Sequence, residues 1–213
     1  MALDRETVVR TALRLLDEVG LEKLTLRMIA GELGVKAPAL YWHFAGKKEL
    51  LDAMATTVLA DAVQVDDGWA HRAWPEFLRA YAGGLRGALL RYRDGAKMVP
   101  GTYLTDERMY SVMERALGVL TAAGFDAATA GLALGTVYSY TVGHAIEEQA
   151  VRPRPGERDP AYDPEVRRRR LDPATQPTVV ALNDMPGAGD PAADFARGLD
   201  LIVAGLRTHL PTS

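Results

Sequence analysis

The order of apolar and polar residues along the chain predicts a succession of helices. Between Thr7 and Gly20, apolar side chains recur at steps of three and four residues, the period of a helix with one buried face. Gly20 favours a left-handed end to that helix, and Gly34 ends a short second helix that Thr25 is placed to cap. Pro38 suits the first turn of a third short helix. No stretch alternates apolar and polar residues as a half-buried strand does.

Longer helices are predicted after an Ala-Gly break at residues 45 and 46. One begins at Lys47 and carries continuous apolar stripes. Others begin near Pro75, which suits a first turn, and near Thr105, which two acidic residues follow. Asp126 is placed to cap a further helix that continues to about Gln149.

These elements predict an all-α protein with two domains. Residues 1–46 form a three-helix head and residues 47–210 form a larger helical body. Two body helices, at about 126–150 and 192–210, contain many small residues, which let another helix approach closely. We expect these two helices to form a four-helix seam with a second copy of the chain.

Two charged features of the body favour structural roles. The segment at about 151–176 is rich in proline and is predicted to be a flexible connection. Its run of four arginines therefore favours a solvated loop over a surface that contacts nucleic acid. His144, Glu147 and Glu148 have the spacing of metal ligands on one helix, but without further ligands they favour a helix face or a dimer contact.

The composition narrows the classes of function. There is no cysteine, which excludes disulfide bonds and cysteine zinc sites. The N-terminus is charged and no apolar run approaches the roughly 20 residues of a membrane span, so a cytoplasmic protein without a membrane partner is expected. No phosphate loop or catalytic triad motif is present, so neither an enzyme nor a cofactor or metal is expected. The net charge of −3 gives no general attraction for nucleic acid, so DNA contact depends on local placement.

Four adjacent aromatic residues, in the sequence YWHF, form the most distinctive motif. Leu40 and Phe44 share one face of a two-turn helix and can pack on the core of the head. Tyr41, Trp42 and His43 point elsewhere, toward solvent or a partner. Their phenol, indole and imidazole groups can donate to phosphate oxygens. A packed aromatic corner is the structural alternative.

The helix, glycine turn and short helix have the spacing of a helix-turn-helix, whose second helix presents its N-terminal side chains to the bases of the DNA major groove. Lys47 and Lys48 open the next helix, where cations oppose the helix dipole unless an anion such as phosphate is bound. Thr25 can cap its helix, bind a phosphate, or do both. Arg27, in the same first turn, has the side chain best suited to guanine O6 and N7.

The stretch LTLRMIAGELGVKAPALYWHFAGKKELLDAMA resembles the DNA-binding region of the tetracycline-repressor (TetR) family, in which LYWHF followed by a lysine and LLDA is a strong signature. YTVGHAIEEQ and GLDLIVAGL resemble parts of the family's regulatory domain, so the resemblance covers nearly the whole chain. It implies a bacterial, homodimeric repressor that binds double-stranded, palindromic operator DNA and is released by a small-molecule inducer.

The resemblance also assigns DNA contacts. It implies that Thr25, Tyr41, His43 and Lys47 hold phosphates, and that Arg27 and an Ala-Pro-Ala segment face bases. Both alanines stand where tetracycline repressors have polar residues, so a different operator sequence is expected. The full set of predicted DNA contacts is Thr25, Arg27, Lys36, Ala37, Pro38, Ala39, Tyr41, Trp42, His43, Lys47 and Lys48.

The same matching places an inducer pocket among the middle helices, where this sequence departs from the family. Val99 stands in place of the metal-binding histidine, and other polar drug contacts are also replaced, so magnesium-tetracycline is not expected as the inducer. A hydrophobic molecule in an aromatic-lined cavity is expected instead. A stripe of Met109, Met113 and Leu117 suits core and cavity equally. The predicted ligand contacts are Val63, Tyr81, Leu85, Val99, Thr102, Tyr103, Met113, Ala116, Tyr138, Ser139 and Glu147.

A second interpretation stays open, in which the chain is a dimeric DNA-binding regulator without a small-molecule inducer. Only the inducible protein is expected to gain thermal stability when a hydrophobic ligand saturates it. In an inducible protein, the helix that begins at Lys47 is the expected hinge, because it joins the head to the body.

Overall fold

The structure, a computed structural model, describes residues 3–63, 68, 72–153, 157–185 and 189–210, and only the backbone of Val63. Within these ranges the chain is helical and contains no strand, which confirms the predicted all-α fold. The α-helices are α1 (Arg5–Val19), α2 (Leu26–Glu32), α3 (Lys47–Val63), α4 (Trp74–Leu90), α5 (Gly95–Met98), α6 (Arg108–Ala122), α7 (Ala127–Val151), α8 (Pro164–Arg168), α9 (Pro177–Asn183) and α10 (Pro191–Leu206). Short 3₁₀ helices lie at Ala37–Trp42, Pro160–Tyr162 and Arg207–His209. No single described helix has the length and apolarity of a membrane span; α6 and α7 reach them only as a pair, which bends by 117°.

The third helix of the head is a 3₁₀ helix, Ala37–Trp42, and not the α-helix that the sequence predicted. At its end, the N–H of His43 donates to the carbonyl of Leu40, three residues earlier. Pro38 supplies no N–H, and so short a segment closes few of the four-residue bonds of an α-helix. The second helix of the helix-turn-helix is therefore wound more tightly than a regular α-helical recognition helix.

Two helix starts in the body show how hydrogen bonds decide a boundary. Asp126 caps α7 as predicted and accepts from the N–H of Thr129 at 2.8 Å. The predicted start at Thr105 is wrong, because α6 begins only at Arg108. The N–H of Thr105 donates to the buried Thr56 Oγ1 at 3.1 Å, which holds residue 105 in the segment before the helix.

The connection at about 151–176 contains two short helices where a plain loop was expected. Its sequence pairs aspartate with proline three times. The first two of these aspartates, Asp159 and Asp163, cap the 3₁₀ helix and α8 that follow them. A capping aspartate before a first-turn proline is a strong start signal for a helix. Within the arginine run, Arg167 donates to Asn183 at the end of α9 at 2.8 Å. The arginine run is therefore partly engaged within the fold.

Buried side chains form two clusters, and the first one joins the head to the body. It unites α1, α2, the 3₁₀ helix and α3 with α4, α5 and the last turns of α7. The second cluster lies at the other end of the body, between α4, α6, α7 and α10. Because α3 contributes buried residues from Leu50 to Ala62 to the first cluster, head and body share this helix. The predicted boundary between residues 46 and 47 falls just before it.

Polar contacts also tie α1 to the body. Arg10 of α1 donates to Asp61 near the end of α3 at 2.9 Å. Just beyond the other end of α1, the N–H of Leu21 donates to Asp94 Oδ2 at 3.1 Å. Asp94 lies between α4 and α5 with a left-handed φ of 56°. The head is therefore positioned by both α3 and the α4–α5 turn, and movement of either changes its orientation.

Candidate DNA-binding and ligand-binding sites

The first predicted DNA contacts lie at the start of α2, on the surface of the head. Thr25 caps α2 as predicted, because its Oγ1 accepts from the backbone N–H of Met28 at 3.2 Å. The hydroxyl hydrogen is not used in that bond, so the same side chain can donate to a phosphate. Arg27 is exposed in the same turn and makes no ion pair within the described residues. Both side chains are therefore accessible to DNA.

The 3₁₀ helix divides the aromatic motif between the core and the surface as predicted for all its residues but His43, which directly follows the helix and is half-buried. Leu40 and Phe44 are each 1% exposed, whereas Tyr41 is 57% and Trp42 is 89% exposed. The alternative of a packed corner is therefore wrong for the tyrosine and the tryptophan. Lys36 is exposed directly before the helix, and the Ala-Pro-Ala segment forms its first turn. These predicted DNA contacts share one short, accessible element.

A clamp that sequence analysis missed holds the turn after the 3₁₀ helix. Arg5 donates to the carbonyl of His43, and to Glu49 Oε1 at 2.8 Å, and its guanidinium lies 4.3 Å from the centre of the Phe44 ring. The other Glu49 oxygen accepts from the N–H of Ala45 at 2.7 Å. The hydrogen bond from this N–H, and to a lesser extent the one from Arg5, lowers the pKa of Glu49 below its ordinary value. Arg5 lies 38 and 44 positions before its partners, so no local pattern reveals the contact.

The two lysines that open α3 have different surroundings. Lys47 is exposed and has no ion-pair partner among the described residues. The Nζ atom of Lys48 lies 3.0 Å from Asp52 Oδ2, one turn further along. Because the first N–H groups of a helix favour an anion, Lys47 is placed to bind a phosphate there. Lys48 shares its charge with Asp52 and is the weaker candidate.

A cavity of about 380 Å³ lies in the body, among α3, α4, α6, α7 and the segment before α6. This volume is within the range of small-molecule sites. The side chain of Val63, a predicted contact, lies outside the described residues. Six predicted ligand contacts do line the cavity, namely Tyr81, Leu85, Thr102, Met113, Ala116 and Tyr138.

Four other predicted ligand contacts do not line the cavity. Val99 is fully buried in the core that head and body share, and Tyr103 is 72% exposed. Ser139 and Glu147 are exposed on other faces of α7 than Tyr138, because each residue of a helix is turned by about 100° from the one before it. Val99 and Glu147 were assigned by the family matching, and Tyr103 and Ser139 as polar or adaptable contacts of the expected cavity. Neither argument carries information on where a side chain points in this chain.

Several lining residues were not assigned from the sequence. Met109 and Leu117, which the sequence left between core and cavity, line it. On α6 and α7 the lining residues follow the spacing i, i+3, i+4 and i+7, which marks one helix face. A face buried in the core and a face that lines a cavity have the same spacing in the sequence. Only the packing of the helices distinguishes the two. The remaining unassigned lining residues are Leu59, Ala62, Leu104, Val112, Gly131, Leu134 and Gly135.

The described lining of the cavity contains three polar side chains and no charged one. Thr102 donates its hydroxyl hydrogen to the carbonyl of Val99 at 2.7 Å. Burial, and to a lesser extent the neighbouring Tyr138, raises the pKa of Tyr81 to about 12. Burial also raises the pKa of Tyr138. Both phenols therefore stay protonated at neutral pH, and these walls present dipoles without a formal charge.

These donors do not fit the magnesium ion that the family resemblance suggests. Mg²⁺ needs near-octahedral oxygen ligands and is normally held by one or two carboxylates. None of the described lining residues carries a carboxylate or an imidazole. In the part of the chain that the structure describes, no group of three or more His, Asp or Glu residues is arranged to hold a metal.

The His144, Glu147 and Glu148 trio is divided between different contacts. Arg86 Nη2 lies 2.7 Å from Glu148 Oε1, in a half-buried ion pair. His144 Nδ1 lies 3.8 Å from Glu148, and its ring packs edge-on against Phe195 with 5.2 Å between ring centres. Burial lowers the pKa of His144, which favours its neutral form. Glu147 is exposed, so the three side chains do not converge on one point, and His144 and Glu148 make structural contacts on the face of α7.

The segment 99–107, called the strap below, links the cavity to α3. Two of its side chains line the cavity, and two of its backbone N–H groups bond to α3. The N–H of Tyr103 donates to Asp52 Oδ1 at 3.2 Å, and that of Thr105 donates to Thr56 Oγ1 at 3.1 Å. Both acceptors are on buried residues, 9% and 3% exposed. Displacement of the strap therefore pulls on α3, the helix that head and body share.

The adjacent helices α7 and α10 carry large exposed apolar side chains. Leu132 on α7 is 71% exposed and Leu201 on α10 is 77% exposed. A shallow groove next to Leu132 contains Gly131 and Gly135, where no side chain keeps another helix away. Exposed apolar surface of this kind is typical of an interface between protein subunits.

Comparison with known proteins agrees with this architecture in the head and in the body. A sequence profile described as bacterial regulatory proteins, tetR family, matches residues 8–54. A second profile, described as tetracyclin repressor-like, C-terminal domain, matches residues 70–210. The tetracycline repressor protein class A from transposon 1721 of Escherichia coli is 42% identical over 204 residues, which cover 96% of this chain and 90% of that protein.

Two solved structures are similar over almost the full chain. A possible TetR family transcriptional regulator from Streptomyces coelicolor A3(2) is 38% identical with a TM-score of 0.82, and the match covers 96% of this chain and 99% of the other. A TetR variant from Acinetobacter baumannii AYE, solved in complex with minocycline, is 34% identical with a TM-score of 0.74, covering 97% and 98%. The similarity therefore includes the arrangement of the helices as well as the sequence.

Proposed function

Since this chain belongs to the TetR family of bacterial regulatory proteins, we propose that it is a homodimeric repressor that binds a palindromic operator and leaves it when a hydrophobic molecule occupies the body. Family membership makes it a helix-turn-helix DNA-binding regulator of transcription. The observation that supports the rest is the strap, which forms a wall of the cavity and bonds to Asp52 and Thr56 of α3. Ligand and operator then act on the same helix.

In the proposed DNA complex, α2 and the 3₁₀ helix lie at the major groove. Arg27 reads a guanine, and the Ala-Pro-Ala turn offers apolar contact to thymine methyl groups. Thr25, Lys47 and the exposed Tyr41 and Trp42 bind phosphates and fix the orientation of the head. The Arg5 clamp keeps the turn between the 3₁₀ helix and α3 in place for these contacts.

The proposed dimer forms through α7 and α10, at about 126–150 and 192–210. Leu132 and Leu201 lie at its centre and are exposed in the single chain. A twofold dimer presents two identical heads, and these match two half-sites whose centres are about 34–36 Å apart on the DNA. The operator is therefore palindromic, and the protein acts where that DNA is, in the cytoplasm.

Induction in this proposal is a shift between two populated states. The inducer binds better to a conformation in which the two heads are spaced wrongly for the operator. A coupling of about 1–3 kcal/mol between ligand and DNA is typical and is enough to change occupancy severalfold. The strap carries this coupling, because it contacts the ligand on one side and α3 on the other.

Magnesium-tetracycline is not the inducer in this proposal. The Acinetobacter relative binds minocycline, whereas the described cavity lining here is apolar apart from two phenols and one threonine hydroxyl. Val99 offers no metal ligand at the position of the family histidine and is fully buried in the core. A hydrophobic molecule gains most from such walls, because their contribution is mainly the burial of apolar surface.

The proposal is tested by a mobility shift assay on DNA flanking the protein's own gene, with hydrophobic compounds added to the complex. One palindromic fragment should be retarded, and at least one compound should release it. Arg27→Ala should weaken binding to that fragment at least about 30-fold, because the dimer loses one bidentate guanine contact, worth about 1–3 kcal/mol, in each of its two half-sites. Lys23→Ala removes an exposed charge between α1 and α2 and is the matched control, with a change of less than about threefold.

The outcomes separate the two interpretations of the body. Equal binding to all fragments contradicts sequence-specific recognition by the head. Specific binding without release, and without a thermal shift from any compound, supports a dimeric regulator that has no small-molecule inducer. Release together with a thermal shift supports the inducible repressor.

Thr25→Asp separates the two roles of Thr25. Aspartate caps a helix as well as threonine does, so the free energy of unfolding should stay within about 0.5 kcal/mol of the wild type. Its carboxylate repels a phosphate where the hydroxyl donates to one, so operator affinity should fall at least about tenfold. Denaturant unfolding and the mobility shift assay measure the two effects. Thr25→Ser keeps both functions and is the control; a Thr25→Asp protein with normal affinity would show that Thr25 is only a cap.

A further inference from the structure

We propose that the cavity selects an uncharged, largely apolar molecule with one hydrogen-bond acceptor, such as a ketone or ester carbonyl oxygen, and that the Tyr138 hydroxyl donates to this acceptor. The inference rests on the proposed inducible function and states which chemistry the inducer has. In this proposal, Tyr138 discriminates between a ligand that has an acceptor and a hydrocarbon of the same shape.

The charge of the ligand follows from the described walls of the cavity. They contain no cation that pairs with a carboxylate and no anion that pairs with an amine. Arg86 and Glu148 are not part of these walls, and their charges are already paired with each other through three hydrogen bonds of 2.7 to 2.9 Å. A charged ligand loses its hydration on entering and gains no counterion, which disfavours binding strongly.

The hydrogen-bond chemistry follows from the polar groups of the lining. The hydrogen of the Thr102 hydroxyl is already donated to the Val99 carbonyl. The Tyr138 hydroxyl makes no hydrogen bond to any described residue, although it is half-buried in an apolar wall. A phenol donates one hydrogen. A ligand that covers this hydroxyl without accepting from it leaves the donor unpaired in apolar surroundings, which is costly, so an acceptor on the ligand is strongly favoured there.

The pKa values of the two phenols also support a hydrogen-bond donor in the cavity wall. Burial raises the pKa of Tyr138, and burial and Tyr138 raise that of Tyr81 to about 12. At neutral pH Tyr138 is therefore protonated and available as a donor. A ligand that offers only donors, such as an ammonium ion, finds no anionic acceptor among the described walls.

The test uses the full-length protein and N-phenyl-1-naphthylamine, a neutral fluorescent probe of apolar cavities. Displacement of this probe is measured with three competitors of similar shape. These are benzophenone; diphenylmethane, which lacks the carbonyl oxygen; and 4-benzoylbenzoate, which adds a carboxylate. The ratio of the benzophenone and diphenylmethane affinities isolates the hydrogen bond. Tyr138→Phe should reduce this ratio about three- to tenfold relative to wild type, as expected for one lost hydrogen bond.

Tyr103→Phe is the matched control, because it removes a phenol from the strap that is 72% exposed and does not line the cavity. It should leave the ratio unchanged, and 4-benzoylbenzoate should compete at least about tenfold more weakly than benzophenone. An unchanged ratio in Tyr138→Phe, a carboxylate that competes as well as the ketone, or no displacement by any of the three overturns the selection. Failure of the fluorescent probe to bind at all, with no compound releasing the operator, overturns the proposed inducible function itself.

Discussion

Leu201→Asp is expected to give a folded monomer that binds the operator at least about 100-fold more weakly than the wild type. Leu201 is 77% exposed on α10, so the change removes little packing within one chain. In the proposed twofold seam it places two carboxylates among apolar side chains. An unpaired buried charge costs several kcal/mol, more than the roughly 2.8 kcal/mol that corresponds to a 100-fold change.

The loss of DNA affinity follows from the loss of the dimer, because a monomer contacts only one half-site. Light scattering measures the oligomeric state, and fluorescence anisotropy with labelled operator measures the affinity. Tyr110→Asp is the matched control: Tyr110 is 56% exposed on α6, outside the proposed seam, and this variant should stay dimeric. A Leu201→Asp protein that remains dimeric with normal operator affinity would place the interface elsewhere.

Gln149→Ala is expected to lower the free energy of unfolding by about 2–4 kcal/mol. Gln149 is 9% exposed near the end of α7. Its Nε2 donates to the carbonyls of Leu89 at 3.2 Å and Tyr92 at 2.8 Å, and its Oε1 accepts from the N–H of Ala96 at 3.1 Å. One side chain therefore satisfies three backbone groups at the end of α4, in the α4–α5 turn and in α5.

Alanine leaves those backbone groups without this partner, and each buried orphan costs about 1–3 kcal/mol. The carbonyl of Tyr92 keeps a second bond, from the N–H of Gly95 at 2.9 Å, so the total is smaller than three full penalties. Lys23→Ala, exposed between α1 and α2 and outside the proposed seam, is the control and should change stability by less than about 0.5 kcal/mol. Denaturant unfolding at one fixed protein concentration measures both, since the stability of a dimer depends on concentration. Equal effects of the two substitutions would contradict the assigned role of Gln149.

The α4–α5 turn matters beyond stability because it positions the head. Asp94 of this turn accepts from the N–H of Leu21, directly after α1. A side chain at Gly95 would place its Cβ 2.4 Å from the Leu89 carbonyl oxygen, so the turn tolerates only glycine there. Loosening of this turn should therefore weaken operator binding as well as the fold.

The cavity shows where inference from sequence succeeds and where it ends. The predicted ligand contacts Tyr81, Leu85 and Tyr138 lie at its wall, where Tyr81 and Leu85 share one face of α4. Val99 was assigned to it by family matching and Tyr103 as an adaptable aromatic contact, yet the Val99 side chain is in the core and the Tyr103 side chain is in solvent. Their positions depend on the path of the strap, which hydrogen bonds to the distant α3 determine.

The all-α class, the caps at Asp126 and Thr25, and the exposure of Tyr41 and Trp42 beside a buried Phe44 follow from local sequence patterns. These features are local, because hydrophobic period, capping and turn residues act within a few positions of one another. Helix packing is what brings Arg5 to the turn before α3, Gln149 to the α4–α5 turn, and the strap between the cavity and α3. Each of these contacts joins residues about 40 to 60 positions apart, and such pairs meet only when the packing of whole helices brings them together.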